Sequence, residues 1–157
     1  MSAIDKIRVV QLTSPVDTTS TTVNSDVIGT KELIGIKFVV SFGTITGDTV
    51  VVTVEECDDT TPSNSTAIAY SYSKDGAAIG TDTAGAWTAV ASTGVTIADT
   101  DDDKNLIIKV DPAALTADYP YLRVVADPGG SASACEIAIN AIVEERYNQS
   151  TNLSLVD

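Results

Sequence analysis

Histidine is missing from all 157 residues. With it go the commonest general base and the commonest transition-metal ligand. Only two cysteines occur, Cys57 and Cys135. Their separation excludes an ordinary zinc site, and a domain this large does not need a disulfide framework. Both are expected as plain thiols, with no imidazole to activate either one. Aromatic residues make up 5% of the chain, too few to line a typical catalytic cleft. Basic residues are scarce as well: 9 Lys and Arg stand against 22 Asp and Glu, a net charge of −13. Duplex nucleic acid needs cations to displace its counterions, so direct binding is not expected, and an anionic membrane surface is disfavoured for the same reason. No apolar run reaches membrane-spanning length. The first residues, MSAIDKIRVVQL, place charges where a signal peptide needs an unbroken apolar core, so synthesis in a cytoplasm is expected.

What is present is β-forming material. Apolar residues reach 43%, dominated by Val, Ile and Ala, with abundant Thr. β-Branched side chains pack well on a pleated surface. Leu33–Phe42 alternates, with Ile34, Ile36, Phe38, Val40 and Phe42 on one face. A Gly43–Gly47 turn and the Val50–Glu56 run follow, which together predict a β-hairpin. Further alternating runs occur at Ile68–Tyr72, Trp87–Val90, Val95–Ile97, Leu106–Val110, Tyr121–Ala126 and Ala134–Glu144. Asp127-Pro128-Gly129-Gly130 predicts a turn. Asp111 before Pro112 predicts an N-cap and a single helical turn, with no long helix anywhere. About eight short strands separated by turn signals predict an all-β protein, a single antiparallel β-sandwich or jelly-roll-like domain. Its expected core is Ile36, Phe38, Val40, Val52, Val54, Leu106, Ile108, Val110, Leu122, Val124, Ile137 and Ile139. Residues 26–146 are expected to form this domain. Residues 1–25 turn into a Ser/Thr/Asp tract and predict a polar N-terminal arm, and residues 147–157 a polar C-terminal tail. Each retains apolar anchors: Val9, Val10 and Leu12 in the first, Leu153, Leu155 and Val156 in the second. With Trp87 and Tyr119, these are the candidate interface residues.

Chemistry-bearing clusters have bland alternatives. Asp99, Asp101, Asp102 and Asp103 supply charge for a hard cation, but the EF-hand order is absent and a solvated turn accounts for them. Glu55, Glu56, Asp58 and Asp59 could offer a carboxylate pair. Adjacent strand residues point to opposite faces, however, so no catalytic pair is expected. Trp87, Tyr70, Tyr72, Tyr119 and Tyr121 could form a sugar-binding face, whereas a lone Trp in a small β-domain is more often a core or interface anchor. No catalytic residue, cofactor or metal is expected.

Three segments resemble small structural proteins of tailed bacteriophages. The first is Gly43-Thr44-Ile45-Thr46-Gly47 with the valine run after it and Glu55-Glu56-Cys57-Asp58-Asp59. The second is Trp87-Thr88-Ala89-Val90. The third is Tyr119-Pro120-Tyr121-Leu122-Arg123-Val124, leading through the alternating Ala/Ile strand to Glu144-Glu145-Arg146. Together they cover about two-thirds of the chain, in the same order. Pro120 replaces a frequent Arg, and the tail lacks the usual closing motif. The resemblance implies a virion protein of the capsid decoration, or cement, type. It would be a dimer or trimer on the capsid exterior, with the major capsid protein as partner. A tail or neck component, or a carbohydrate- or host-binding module, are the alternatives.

Overall fold

The computed structural model describes residues 6–76 and 83–146. Thirteen strands form two antiparallel sheets, and no α-helix occurs among the described residues. They are β1 (Ile7–Gln11), β2 (Val16–Asp17), β3 (Val23–Asn24), β4 (Ile28–Gly29), β5 (Leu33–Thr46), β6 (Val50–Cys57), β7 (Ser65–Ile68), β8 (Tyr70–Lys74), β9 (Thr88–Val90), β10 (Val95–Ile97), β11 (Asn105–Val110), β12 (Tyr121–Pro128) and β13 (Ala134–Glu145). The seven-stranded sheet runs β1-β13-β5-β11-β8-β9, with β2 beside β13. The six-stranded sheet runs β10-β6-β12-β3, with β4 beside β12 and β7 beside β6. The inner faces pack on each other as a β-sandwich, and every residue of the expected core is buried between them. The Asp111 cap is present: its side chain accepts from the Ala113 N–H at 3.0 Å and opens a one-turn 3-10 helix, Pro112–Ala114.

The predicted hairpin does not form. β5 pairs with β13 and β11 in one sheet, while β6 pairs with β12, β10 and β7 in the other. The link between them crosses from sheet to sheet. Gly47 makes the turn at φ +92°, where a Cβ would stand 2.7 Å from the Ser131 carbonyl oxygen. Two apolar runs joined by a short turn look alike whether they pair with each other or face each other across a core. The turn expected at Asp127-Pro128 is also displaced: both residues still belong to β12, opposite Val51 and Val50.

Strand β5 carries two bulges. Glu144 pairs with Gly35 but Glu145 with Leu33, and Cys135 pairs with Ile45 but Ile137 with Phe42. Each bulge inserts one extra β5 residue and resets the alternation. The buried positions are therefore Leu33, Ile36, Phe38, Val40, Phe42 and Ile45. Ile34, expected inside by strict alternation, is 52% exposed.

The N-terminal segment is not a free arm. β1 and β2 pair with β13 in one sheet, and β3 pairs with β12 in the other. Backbone bonds secure the passage between them, from the Leu12 N–H to Ile139 (3.0 Å) and from the Ser25 N–H to Val124 (2.9 Å). Ser25 Oγ in turn accepts from the Val124 N–H at 2.9 Å. Leu12 sits in the core at 3% exposure. Most polar side chains of this stretch face solvent, Thr18 and Ser25 being buried, while its backbone is held by the sheet ladders. Residues 147–157, including Leu153, Leu155 and Val156, lie outside the described residues.

Two tests follow from this arrangement. Leu33→Ala and Leu12→Ala should each cost about 2–5 kcal/mol, while Ile34→Ala should cost under about 1 kcal/mol, by urea unfolding. Equal costs at Leu33 and Ile34 would contradict the bulge. Deleting residues 1–25 should abolish cooperative unfolding, because it strips strands from both sheets; a truncated chain that melts like the full one would refute their structural role.

Candidate functional site: the outer face of the seven-stranded sheet

Alternation that buries one face of a strand turns the other outward. On the seven-stranded sheet the register aligns outward residues in rows. One row is Val9, Ile142, Lys37, Lys109, Ser71 and Ala89. The next begins Gln11, Asn140, Val39, Ile107. Val9 is 72% exposed, and Ile7, Ile34 and Ile142 are also exposed. Trp87 stands immediately before β9, 50% exposed, with Lys37 Nζ 5.9 Å from its ring centroid, a cation–π distance.

The distribution is one-sided. Among the described residues the exposed large hydrophobics are Ile7, Val9, Val16, Ile34, Trp87 and Ile142. Every one lies in a strand of the seven-stranded sheet or directly beside it, and none in the six-stranded sheet. Val16 lies opposite buried Ile137 at the sheet border, but Ile7, Val9, Ile34 and Ile142 gather on the outward face, and such a collection marks an interaction surface. Within this face a groove of about 420 Å³ runs between Ile7, Ile34, Ile142 and Pro112, with Gly35, Lys37, Lys109 and Glu144 also lining it. A Cβ on Gly35 would meet nothing within 4 Å. No neighbour among the described residues requires a glycine at that point.

The outward side of the other sheet is self-contained. Arg123, opposite Glu55 in register, donates from Nε to Glu55 Oε2 (2.8 Å), with Nη2 in ion-pair contact with the same oxygen (2.7 Å). Glu56 points the other way and is buried, accepting from the Thr116 N–H (2.9 Å) and hydroxyl (2.7 Å). Asp58 accepts from Asn64 and Ser63, and Asp59 from the Thr61 N–H. The acidic run and the Arg123 segment are therefore structural partners.

The aspartates of the 99–103 turn are likewise engaged. Asp101 is buried and receives Lys74, Lys104 (2.9 Å) and the Ala98 N–H (3.2 Å). Burial pushes its carboxyl pKa up, but the two ammonium groups and the amide outweigh that and hold it below the usual carboxylate value. Asp102 accepts from the Ile45 N–H at 2.7 Å, and Asp103 adopts φ 57°. Among the described residues no group of His, Cys, Asp or Glu is arranged to hold a metal ion.

The aromatic residues do not share a platform. Tyr70 is buried; its hydroxyl donates to the Val52 carbonyl and accepts from the Val95 N–H at 3.2 Å, which bolts β8 to the opposite sheet. Burial raises its pKa to about 12. Tyr72 packs against the core, Tyr119 and Tyr121 are half-buried, and Trp87 alone is prominent on the seven-stranded face. Cys57 and Cys135 are buried free thiols on different sheets, each pushed by burial to a pKa of about 11. Neither forms a thiolate at neutral pH.

Of the candidate interface residues, Val9 and Trp87 are exposed on this face, Val10 is half-buried against the core, and Leu12 is inside it. Tyr119 stands apart, just before β12 of the other sheet. Ile7, Ile34, Ile142, Lys37 and Lys109 were not identified from sequence. Their signal was the outward half of strands whose inward half was already plain.

Asp101→Asn should lower stability by about 1–3 kcal/mol at neutral pH. Because the folded-state pKa of Asp101 is depressed, its contribution is present above the ordinary carboxylate range and is lost as pH falls through the folded value. Urea unfolding of both proteins across pH should show the gap closing in acid; a gap that does not change with pH would contradict this role.

No family model matches the chain, and no curated protein matches it. Among solved structures, a chain in the structure of infectious bursal disease virus Gx strain is similar over 88% of this chain and 41% of its own length, so this chain spans less than half of it. The identity is 12% and the TM-score 0.27, a likeness too faint to bear on fold or function.

Proposed function

We propose that the protein is a non-enzymatic virion structural protein of the capsid decoration type, which binds the outside of an assembled shell and bridges neighbouring major capsid subunits. The observation that carries this is the confinement of every exposed large hydrophobic among the described residues to one sheet. A molecule with net charge −13 that gathers exposed aliphatic side chains around a groove on one face has a surface suited to another protein rather than to nucleic acid. The resemblance of three sequence segments to small tailed-phage structural proteins favours a major capsid protein as that partner. A non-catalytic role is supported by the absence of histidine, the protonated thiols and the carboxylates already held by neighbouring groups. Many copies on a shell add weak contacts into a strong total through multivalency.

A joint between subunits exists only after assembly. The protein should therefore co-sediment with shells and leave isolated capsid subunits unbound at the same concentration. Removing residues 147–157 should leave the far-ultraviolet circular dichroism unchanged and weaken shell binding. Equal binding to shells and free subunits would sink the decoration role, and so would a copy number per particle matching a tail or neck ring rather than the shell.

A further inference from the structure

Lys37 and Lys109 are direct cross-strand neighbours at the centre of the outward face. Like charges placed opposite each other destabilise a sheet. Both side chains are exposed, and neither has an ion-pair partner among the described residues. The chain holds 22 acidic residues to 9 basic ones, so carboxylates were plentiful for this role. Four other basic residues, Arg8, Lys74, Lys104 and Arg123, are paired with them. The acids nearest the lysine pair are otherwise placed. Asp111 caps the 3-10 turn, and Glu144, which lines the same groove opposite Ile7 and Gly35, forms an ion pair with neither lysine.

We infer that the two lysines are the charge-selective centre of a docking surface, and that the partner is a capsid-shell surface presenting carboxylates flanked by aliphatic side chains. This rests on the decoration role and names the chemistry of its contact. The apolar flank Val9, Ile142, Ile34 and Ile7 lies on one side of the pair and Trp87 toward the other. A partner carboxylate above Lys37 and Lys109 relieves their mutual repulsion, and its aliphatic neighbours cover the groove over Gly35. A second copy docked symmetrically by this face fits poorly. A two-fold axis near the centre would bring four lysines together, and like-charge juxtaposition opposes such a contact.

The test uses the full chain and purified shells made without it. Three proteins are compared by co-sedimentation: the parent, the double variant Lys37→Glu with Lys109→Glu, and Gly35→Phe, which fills the groove without changing charge. All three should give the same circular dichroism, since Lys37 and Lys109 are exposed and a Cβ on Gly35 meets open space. The parent should bind, the charge reversal should weaken binding tenfold or more, and Gly35→Phe should also weaken it. If the parent binds and both variants bind as tightly, this face is not the contact and the inference is overturned while the decoration role stands. If the parent does not bind shells at all, the decoration role fails and takes the inference with it. Analytical ultracentrifugation of the same proteins reads self-association. A parent oligomer that dissociates on charge reversal, with shell binding of the separated chains unchanged, would assign the face to a second copy and overturn the inference.

Discussion

Burial of Ile36, Phe38, Val40 and Phe42 against the six-stranded sheet sets the orientation of the whole seven-stranded sheet. β5 is flanked by β13 and β11, so whichever side it turns inward its neighbours turn inward too. With a period of two, the same act sends Lys37 and Val39 outward together with Ile142, Asn140, Ile107 and Lys109. The core and the outward face are two sides of one constraint. A one-residue slip would exchange them, burying two lysines and exposing Phe38. The bulges at the two ends of β5 limit this strict phase to its middle and bring Leu33 and Ile45 inside.

The borders of the sandwich are assembled from short pieces. β10 and β7 share one side of β6, and β3 and β4 share one side of β12. Short edge strands offer little template for edge-to-edge aggregation. The N-terminal segment runs between the two sheets and is tied to β13 and β12 by backbone bonds. Polar bolts complete the assembly: Tyr70 across the core, Glu56 to the Thr116 loop, and Asp101 between Lys74 and Lys104. Each satisfies buried polar groups that would otherwise oppose packing.

Much of this was legible in the sequence. Alternation identified the core because burial selects apolar side chains at every second residue, and the Asp111-Pro112 turn was plain from its cap chemistry. Pairing partners were not legible, since β5 and β6 carry the same apolar pattern whether they bond to each other or face each other. Residues 6–25 were misread because side-chain polarity says little about a segment whose contribution is backbone hydrogen bonding. Ile34 was misplaced because a bulge leaves no local mark in composition. The face carrying Lys37, Lys109 and Trp87 emerged only from register, which brings together residues from strands far apart in the chain.

Contact between the outward face of the seven-stranded sheet and a shell is read most directly by electron cryomicroscopy of shells decorated with this protein. Density of a shell subunit is expected against β1, β13, β5 and β11, with Lys37 and Lys109 facing acidic side chains and Trp87 at or near the contact. A map in which that face is open to solvent and the six-stranded sheet lies on the shell would contradict it.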